Sequence, residues 1–283
     1  MIHSAGGECG KISLVKWMFL FKQESSECSL RYYEFVPYKK GPFSFTLYYD
    51  LSSLAKNSYV IDDRAKVRLT PLGQEACLGL PHQAGALVKR IYDKYGKLCE
   101  SALIDDVYDR FPWYTLNSER VDRRNAKRPL AEHKVYTIGY ESFSLDGLLD
   151  KLLRRGIRKL IDVRLNPVSR RFGFHKSTLE RTCAAVGIVY RHCPDLGVPS
   201  SWRSNLPDEA AYERLFRRYV DEVLNADREL LSSLTFMIKE SPTAFMCREL
   251  SPSFCHRSQL ALRLSELSSL PIEDLSADQP ILL

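Results

Sequence analysis

The feature that most restricts this chain is an alternation of short apolar runs with amphipathic stretches from Val135 onward. Val135 to Gly139, Leu160 to Val163, Ile188 to Arg191, Thr243 to Cys247 and a short run near Ile272 read as strands. Leu160, Ile161 and Val163 follow a glycine closely and suit a parallel strand buried on both faces. Between the strands, Ser144 to Arg155 carries Leu145, Leu148, Leu149, Leu152 and Leu153 at helical spacing, and Gly156 stands where a helix C-terminal glycine belongs. Ser177-Thr178-Leu179-Glu180 has capping-box spacing and opens a helix that Gly187 closes. Further helices are expected around Glu209 to Leu224, Arg228 to Lys239 and Cys255 to Leu267. Strands alternating with helices specify a mostly parallel α/β sheet with helices on both faces.

The first part of the chain has a different rhythm. Lys11 to Phe21 has a helical apolar pattern, and Tyr32 to Val60 runs from an aromatic-rich extended piece through Pro37 and Gly41-Pro42 into a helix opening near Ser44. Tyr59 to Leu69 reads as a hairpin with its tip at Asp62-Asp63, and Thr70-Pro71 opens another helix. This outline of helices and a wing predicts an N-terminal winged-helix-like domain over 1–116, and the YKKGPFS turn resembles that of the SocA-like (Panacea) family. The resemblance implies docking of DNA or protein, with Lys39, Lys40, Lys56, Arg64, Lys66 and Arg68 as phosphate contacts; a helical adaptor with ordinary surface lysines is the alternative. Residues 117–133 are polar and carry Arg120, Arg123, Arg124, Lys127 and Arg128, which predicts a basic linker, either solvated or tracking a nucleic-acid backbone, before an α/β catalytic domain over 134–283.

Composition narrows the setting. A net charge of +6 on 283 residues permits a polyanionic partner without requiring one. Eight cysteines with no CxxC pair and no secretory leader predict reduced thiols in a cytoplasmic protein, and the apolar segment Ile12 to Phe21 is cut by lysines and too short to span a bilayer.

In open α/β sheets, ligands bind beyond the carboxyl ends of strands, so the charged strand ends are the candidate site. Asp162 and Arg164 leave the central strand into a loop with Ser169, Arg170, Arg171, Phe172, Phe174, His175 and Lys176, either a solvated basic loop or a surface for phosphates and stacked bases. Thr137 to Glu141, Cys247-Arg248-Glu249 and Cys255-His256-Arg257 should meet it there. The motifs Thr137 to Tyr140, Asp162 to Arg164 with Pro167 and Ser169, Tyr190 with His192, Leu196 and Gly197, and Cys247, Glu249 and Cys255 to Arg257 resemble, in this order, the family named domain of unknown function 488. That resemblance implies a fold and a set of site residues rather than a reaction.

On these residue types, Gly139 admits close approach of a ligand, and Tyr140, Phe172 and Phe174 offer rings for stacking. Arg164, Arg170, Arg171 and Arg257 suit phosphates, the last also lying in the first turn of a helix. Asp162, Glu249 and Glu141 are candidate catalytic carboxylates and His256 a proton-exchanging group. Structural ion pairs are the alternative for Asp162 with Arg164 and for Glu249 with Arg257. No metal is expected, because Cys247, Cys255 and His256, with His192 or Cys193, lack a recognised ligand spacing, and no cofactor, because the chain shows neither a Walker loop nor a dinucleotide fingerprint; buried thiols packing the sheet edge are the plain reading of the cysteines. Cleavage of an N-glycosidic bond fits this inventory: a base flipped out of double-stranded DNA, a ring clamp, arginines on phosphates and a carboxylate. The expectation is a metal-independent DNA glycosylase-like hydrolase acting on particular, modified bases, with a role against phage DNA as an extension. A non-enzymatic DNA-binding regulator or nucleotide sensor, and a sulfurtransferase- or phosphatase-like enzyme using Cys247, are the alternatives.

Overall fold

The computed structural model describes residues 1–25, 32–79, 82–204 and 206–276. The chain divides into two compact units, Met1–Lys127 and Arg128–Leu283.

The first unit runs β1 (Glu8–Gly10), α1 (Lys11–Glu24), β2 (Val36–Tyr38), β3 (Gly41–Phe43), α2 (Phe45–Lys56), β4 (Val60–Asp62), β5 (Lys66–Leu69), α3 (Pro71–Leu78), α4 (His82–Tyr95) and α5 (Glu100–Arg110). Its antiparallel sheet has the order β1-β5-β4, and β2 pairs with β3 in a separate hairpin. Ser44 and Thr70 start α2 and α3 by accepting the backbone N–H of Leu47 and Gly73, as N-cap hydroxyls do. Trp17, Phe19, Leu20 and Phe21 of α1 form the core with Ile91, Leu103 and Val107.

The basic stretch after α5 is ordered rather than free. Asn117 donates to the Pro37 carbonyl at 3.0 Å, Arg120 pairs with Asp105 at 2.7 Å, and Arg123 pairs with Asp109 at 2.6 Å. Asp105 and Asp109 sit one turn apart on α5, so they meet these arginines along one helix face. In the second unit, Arg128 donates to the carbonyls of Gly187 and Ile157. Two charges of the expected track, Arg120 and Arg123, are therefore paired with acids, while Arg124 and Lys127 are exposed. The same holds for part of the expected phosphate set, since Lys39 pairs with Glu119, Lys40 with Glu100, and Lys66 and Arg68 with Glu8, while Lys56 and Arg64 are exposed.

The second unit contains β6 (Val135–Gly139), α6 (Leu145–Arg154), β7 (Lys159–Asp162), α7 (Lys176–Ala185), β8 (Val189–His192), α8 (Glu209–Tyr219) with a π-helical continuation Val220–Leu224, α9 (Arg228–Glu240), β9 (Thr243–Cys247), α10 (Arg257–Ser268) and β10 (Ile272–Asp274). The five-stranded sheet has the order β10-β6-β9-β7-β8 with every pair parallel. Every residue of β6 and β9 is buried, so helices cover both faces. On one face α8, α9 and α10 pack over Val135, Ile161, Val163, Phe245 and Cys247. The connections through α6 and α7 run across the sheet in the opposite sense and, with right-handed crossovers, occupy the other face.

Gly156 ends α6 at φ +70°, and a Cβ there would stand 2.6 Å from the Pro129 carbonyl oxygen, so a side chain is excluded twice over. One local expectation fails. Helix α7 begins at Lys176 with His175 in the cap position, so Ser177 lies inside the first turn and forms no capping box. Among the described residues no helix is long and apolar enough to cross a membrane, and Cys9, Cys77, Cys99, Cys183, Cys193, Cys247 and Cys255 are free thiols. Cys28 lies outside the described residues.

Candidate functional site

Successive side chains on a strand point to opposite faces, and at the carboxyl edge of this sheet that alternation separates what the sequence suggested would be one site. Ile161 and Val163 belong to the core beneath α8, α9 and α10, so Asp162 faces the other way, toward α6 and α7. There it is 0% exposed. It accepts Arg164 Nε at 2.8 Å and Arg164 Nη2 at 2.6 Å in a bidentate pair, the Tyr190 hydroxyl at 2.7 Å, and the Arg164 backbone N–H at 3.2 Å. Arg164 also donates to the Tyr140 hydroxyl and the Phe174 carbonyl, both at 3.0 Å. Burial opposes the Arg164 charge, but Asp162 outweighs it and raises the guanidinium above its ordinary range. Burial, joined by Asp162, likewise pushes the Tyr190 phenol up and the Cys183 thiol on α7 to about 12.

This closed cluster overturns several roles expected from the sequence. Asp162 and Arg164 form the structural ion pair, with neither a lone pair for a substrate nor a guanidinium edge for a phosphate. Tyr140 and Phe174 stack on each other at 4.2 Å and 12°, and both are buried, so they do not clamp a base. Arg171 donates to the carbonyls of Tyr140, Glu141 and Phe143 and fastens that loop instead of reaching outward. Ser169 accepts the Arg171 N–H at 3.1 Å. Arg170 is exposed and Phe172 half-buried.

Arg257 is 0% exposed and turned inward. It donates to the carbonyls of Glu249 and Leu250 and to Asp274, and so shapes the loop after β9. In a phosphatase-like or rhodanese-like cradle this arginine would face an oxyanion; here the loop's own carbonyls occupy it. Gly139 serves the same loop. A Cβ at Gly139 would lie 1.8 Å from the Glu249 carbonyl oxygen, so the close approach that requires glycine is backbone to backbone. The expected pairing of Glu249 with Arg257 thus runs through the Glu249 carbonyl, not its carboxylate. Glu141 is half exposed, accepts the Leu250 N–H at 3.2 Å and lies 3.9 Å from Arg248.

The second cluster lies on the α8–α10 side. Cys247 ends β9, and Cys255 and His256 precede α10, which brings the three within a few ångströms although seven residues separate the cysteines. Both thiols donate to Glu249 Oε2 at 3.1 Å, and Cys247 Sγ lies 3.9 Å from His256 Nδ1. Arg203 donates to Glu249 Oε1 and to His256 Nδ1, each at 3.1 Å. A guanidinium can only donate, so Nδ1 carries a lone pair and the ring proton sits on Nε2, which donates to the Val163 carbonyl at 3.1 Å. Burial opposes the Glu249 charge, but the thiol donors, its own backbone N–H and Arg203 outweigh it and hold the carboxyl below its ordinary value. Burial drives the Cys255 thiol well up.

A pocket of about 250 Å³ opens beside this cluster, lined by Glu249, His256, Arg203, Val198, Leu206, Tyr212, Leu215, Phe216 and Phe254. Tyr212 and Phe254 meet edge to face at 5.0 Å. Of the expected catalytic set, then, Glu249 and His256 come together at a cavity, while Asp162 lies on the other face and Glu141 on the surface. Arg203, Tyr212, Phe216 and Phe254 were not foreseen. The i, i+4 aromatic pair Tyr212 and Phe216 on an amphipathic helix was the available signal; Arg203, at the end of a short 3-10 turn Ser200–Arg203, offered none.

Residues 144–264 match the family model for Domain of unknown function DUF488. The DUF488 region spans α6 to α10 and holds Asp162, Arg164, Tyr190, Cys247, Glu249, Cys255, His256 and Arg257, while Gly139, Tyr140 and Glu141 precede it. No curated protein and no solved structure matches the chain.

Proposed function

We propose that the second unit is a hydrolase of the DNA glycosylase type, with Glu249 as the working carboxylate. The observation that carries this reading is an ionised Glu249, about a quarter exposed, at a pocket walled by Tyr212, Phe216 and Phe254. An aromatic recess of this size suits a planar heterocycle turned out of a stack, and a carboxylate at its rim can stabilise an oxocarbenium-like sugar or orient water. Arg203 beside the carboxylate, exposed Arg170 and Arg248 on loops at the strand ends, and exposed Lys176 at the start of α7 supply positive charge for flanking phosphates. The first unit, read as a winged-helix-like dock on its resemblance to the SocA-like family, would bring DNA or a protein partner through Lys56, Arg64 and the β4–β5 hairpin. Modified bases of foreign DNA are the proposed targets.

A second reading, thiolate chemistry at Cys247, is favoured by the 3.9 Å approach of His256 Nδ1. Against it stands the 1% exposure of Cys247, whose thiol proton is donated to Glu249 Oε2.

The test is incubation of the full chain with duplexes carrying plain and modified bases, followed by chromatography for free base and alkali treatment for strand breaks. Release by the wild-type chain and its loss in Glu249→Gln are expected. No free base from any duplex overturns the glycosylase reading, and release that survives Glu249→Gln removes the carboxylate from its role.

A further inference from the structure

We infer that Cys247, Cys255 and His256 form a zinc site whose fourth position faces Glu249 and the pocket. The three donor atoms lie within 4.8 Å of one another, all on buried residues. Tetrahedral zinc with thiolate and imidazole ligands at about 2.0–2.3 Å sets ligand-to-ligand spacings of about 3.3–3.8 Å, so a small contraction of this cluster completes the geometry.

Three further observations point to a cation rather than to packed thiols. The tautomer of His256 is fixed with Nε2–H anchored on the Val163 carbonyl, which is how a ligating imidazole is held by its outer hydrogen bond, and with an Nδ1 lone pair that accepts from Arg203 and lies 3.9 Å from Cys247 Sγ. Both sulfurs converge on one carboxylate oxygen, Glu249 Oε2, which gathers the donor atoms of two thiols at one point beside His256. The third is Arg203 itself. Its positive end touches His256 Nδ1 and Glu249 Oε1, standing where a cation's charge would be, and its side chain is about a third exposed and can swing outward. Loading would release the two thiol protons and replace the guanidinium at Nδ1.

Two thiolates and an imidazole select zinc among abundant divalent ions, and three protein ligands with an open fourth place is the arrangement of reactive rather than purely structural zinc sites. In that arrangement a neighbouring glutamate that is not itself a ligand manages the proton of a zinc-bound water, and Glu249 occupies such a place. The sequence alone argued against a metal on these residues because the donors fall as C-x7-C-H, outside the familiar finger and ribbon spacings.

The site does not depend on base excision being the reaction, and its test reads metal alone. Full-length protein purified without chelator is expected to carry about one zinc per chain by elemental mass spectrometry. Chain stripped by chelator and thiol and refilled with cobalt(II) is expected to show intense visible bands of tetrahedral cobalt with sulfur-to-metal charge transfer. Cys247→Ser, Cys255→Ser and His256→Gln should each lose the bound metal, and Cys193→Ser, which alters a buried thiol outside the cluster, should keep it. Wild-type chain that takes up neither zinc nor cobalt overturns the site, as does full zinc content in Cys247→Ser or Cys255→Ser. If a variant fails to fold, the wild-type cobalt spectrum decides: two-thiolate bands support the site and their absence removes it.

Discussion

Asp162 and Glu249 follow from neighbouring strands of one sheet, yet one is sealed and the other works at a cavity. Asp162 accepts hydrogen bonds from a bidentate guanidinium, a phenol and a backbone amide, with no surface in contact with water. Glu249 accepts from two thiols, its own backbone N–H and an arginine whose side chain reaches solvent. Strong donors that cannot leave make a carboxylate structural; weak or movable donors leave it available. The sign of the charge at a strand end is the same in both cases, and only the partners differ.

The largest effect should come from breaking the sealed side. Asp162→Ala leaves Arg164 charged and buried without its partner, a loss of about 3–5 kcal/mol. Urea unfolding followed by tryptophan fluorescence and circular dichroism reads it, and a loss under 1 kcal/mol would falsify the sealed pair. Tyr190→Phe removes one hydrogen bond to the same carboxylate and should cost about 1.5–3 kcal/mol in the same assay; an unchanged midpoint would show that Arg164 alone suffices.

A buried charge in the first unit sharpens the comparison, because Lys16 has no acid in hydrogen-bonding contact among the described residues. Its ammonium donates to the Pro42 carbonyl at 2.9 Å, and burial draws its pKa down to about 7. The unfolded chain keeps this proton to about pH 10, so between pH 7 and 10 the unfolded state binds more protons and stability rises with pH. The slope approaches about 1.4 kcal/mol per pH unit and vanishes below pH 7. Unfolding midpoints measured from pH 7 to 9 should climb in the wild type relative to Lys16→Met; parallel curves would discard the depressed lysine. The smallest stability effect belongs to Glu249→Gln, under about 1 kcal/mol. A larger loss would mean that the two carboxylates are alike after all, both serving the fold.

The fold of the second unit was legible because its information is local. Leu145, Leu148, Leu149, Leu152 and Leu153 define one helix face, and the apolar runs that became β6, β7 and β9 admit few alternatives. The site was legible only by residue type. Glu249, His256 and the cysteines stood out, but the alternation that turns Asp162 and Ile161 to opposite faces acts across three strands and two helical layers, and it split the expected cleft. The charge of Arg257 invited a ligand, whereas its burial on two loop carbonyls depends on tertiary packing that no motif spells out. In the first unit, the acidic partners of Lys39 and Arg123 come from distant sequence positions and from a helix face, respectively. Counting basic residues therefore overstated the open charge.

One peptide plane joins the two clusters. The carbonyl of Val163 accepts the His256 Nε2 proton on one side of the sheet, and the N–H of the same peptide, belonging to Arg164, donates to Asp162 on the other. Charge gathered at His256 Nδ1 strengthens the ring's outer hydrogen bond and polarises that amide, so the Arg164 nitrogen resonance becomes a built-in gauge, readable from the sealed face, of what occupies the open one.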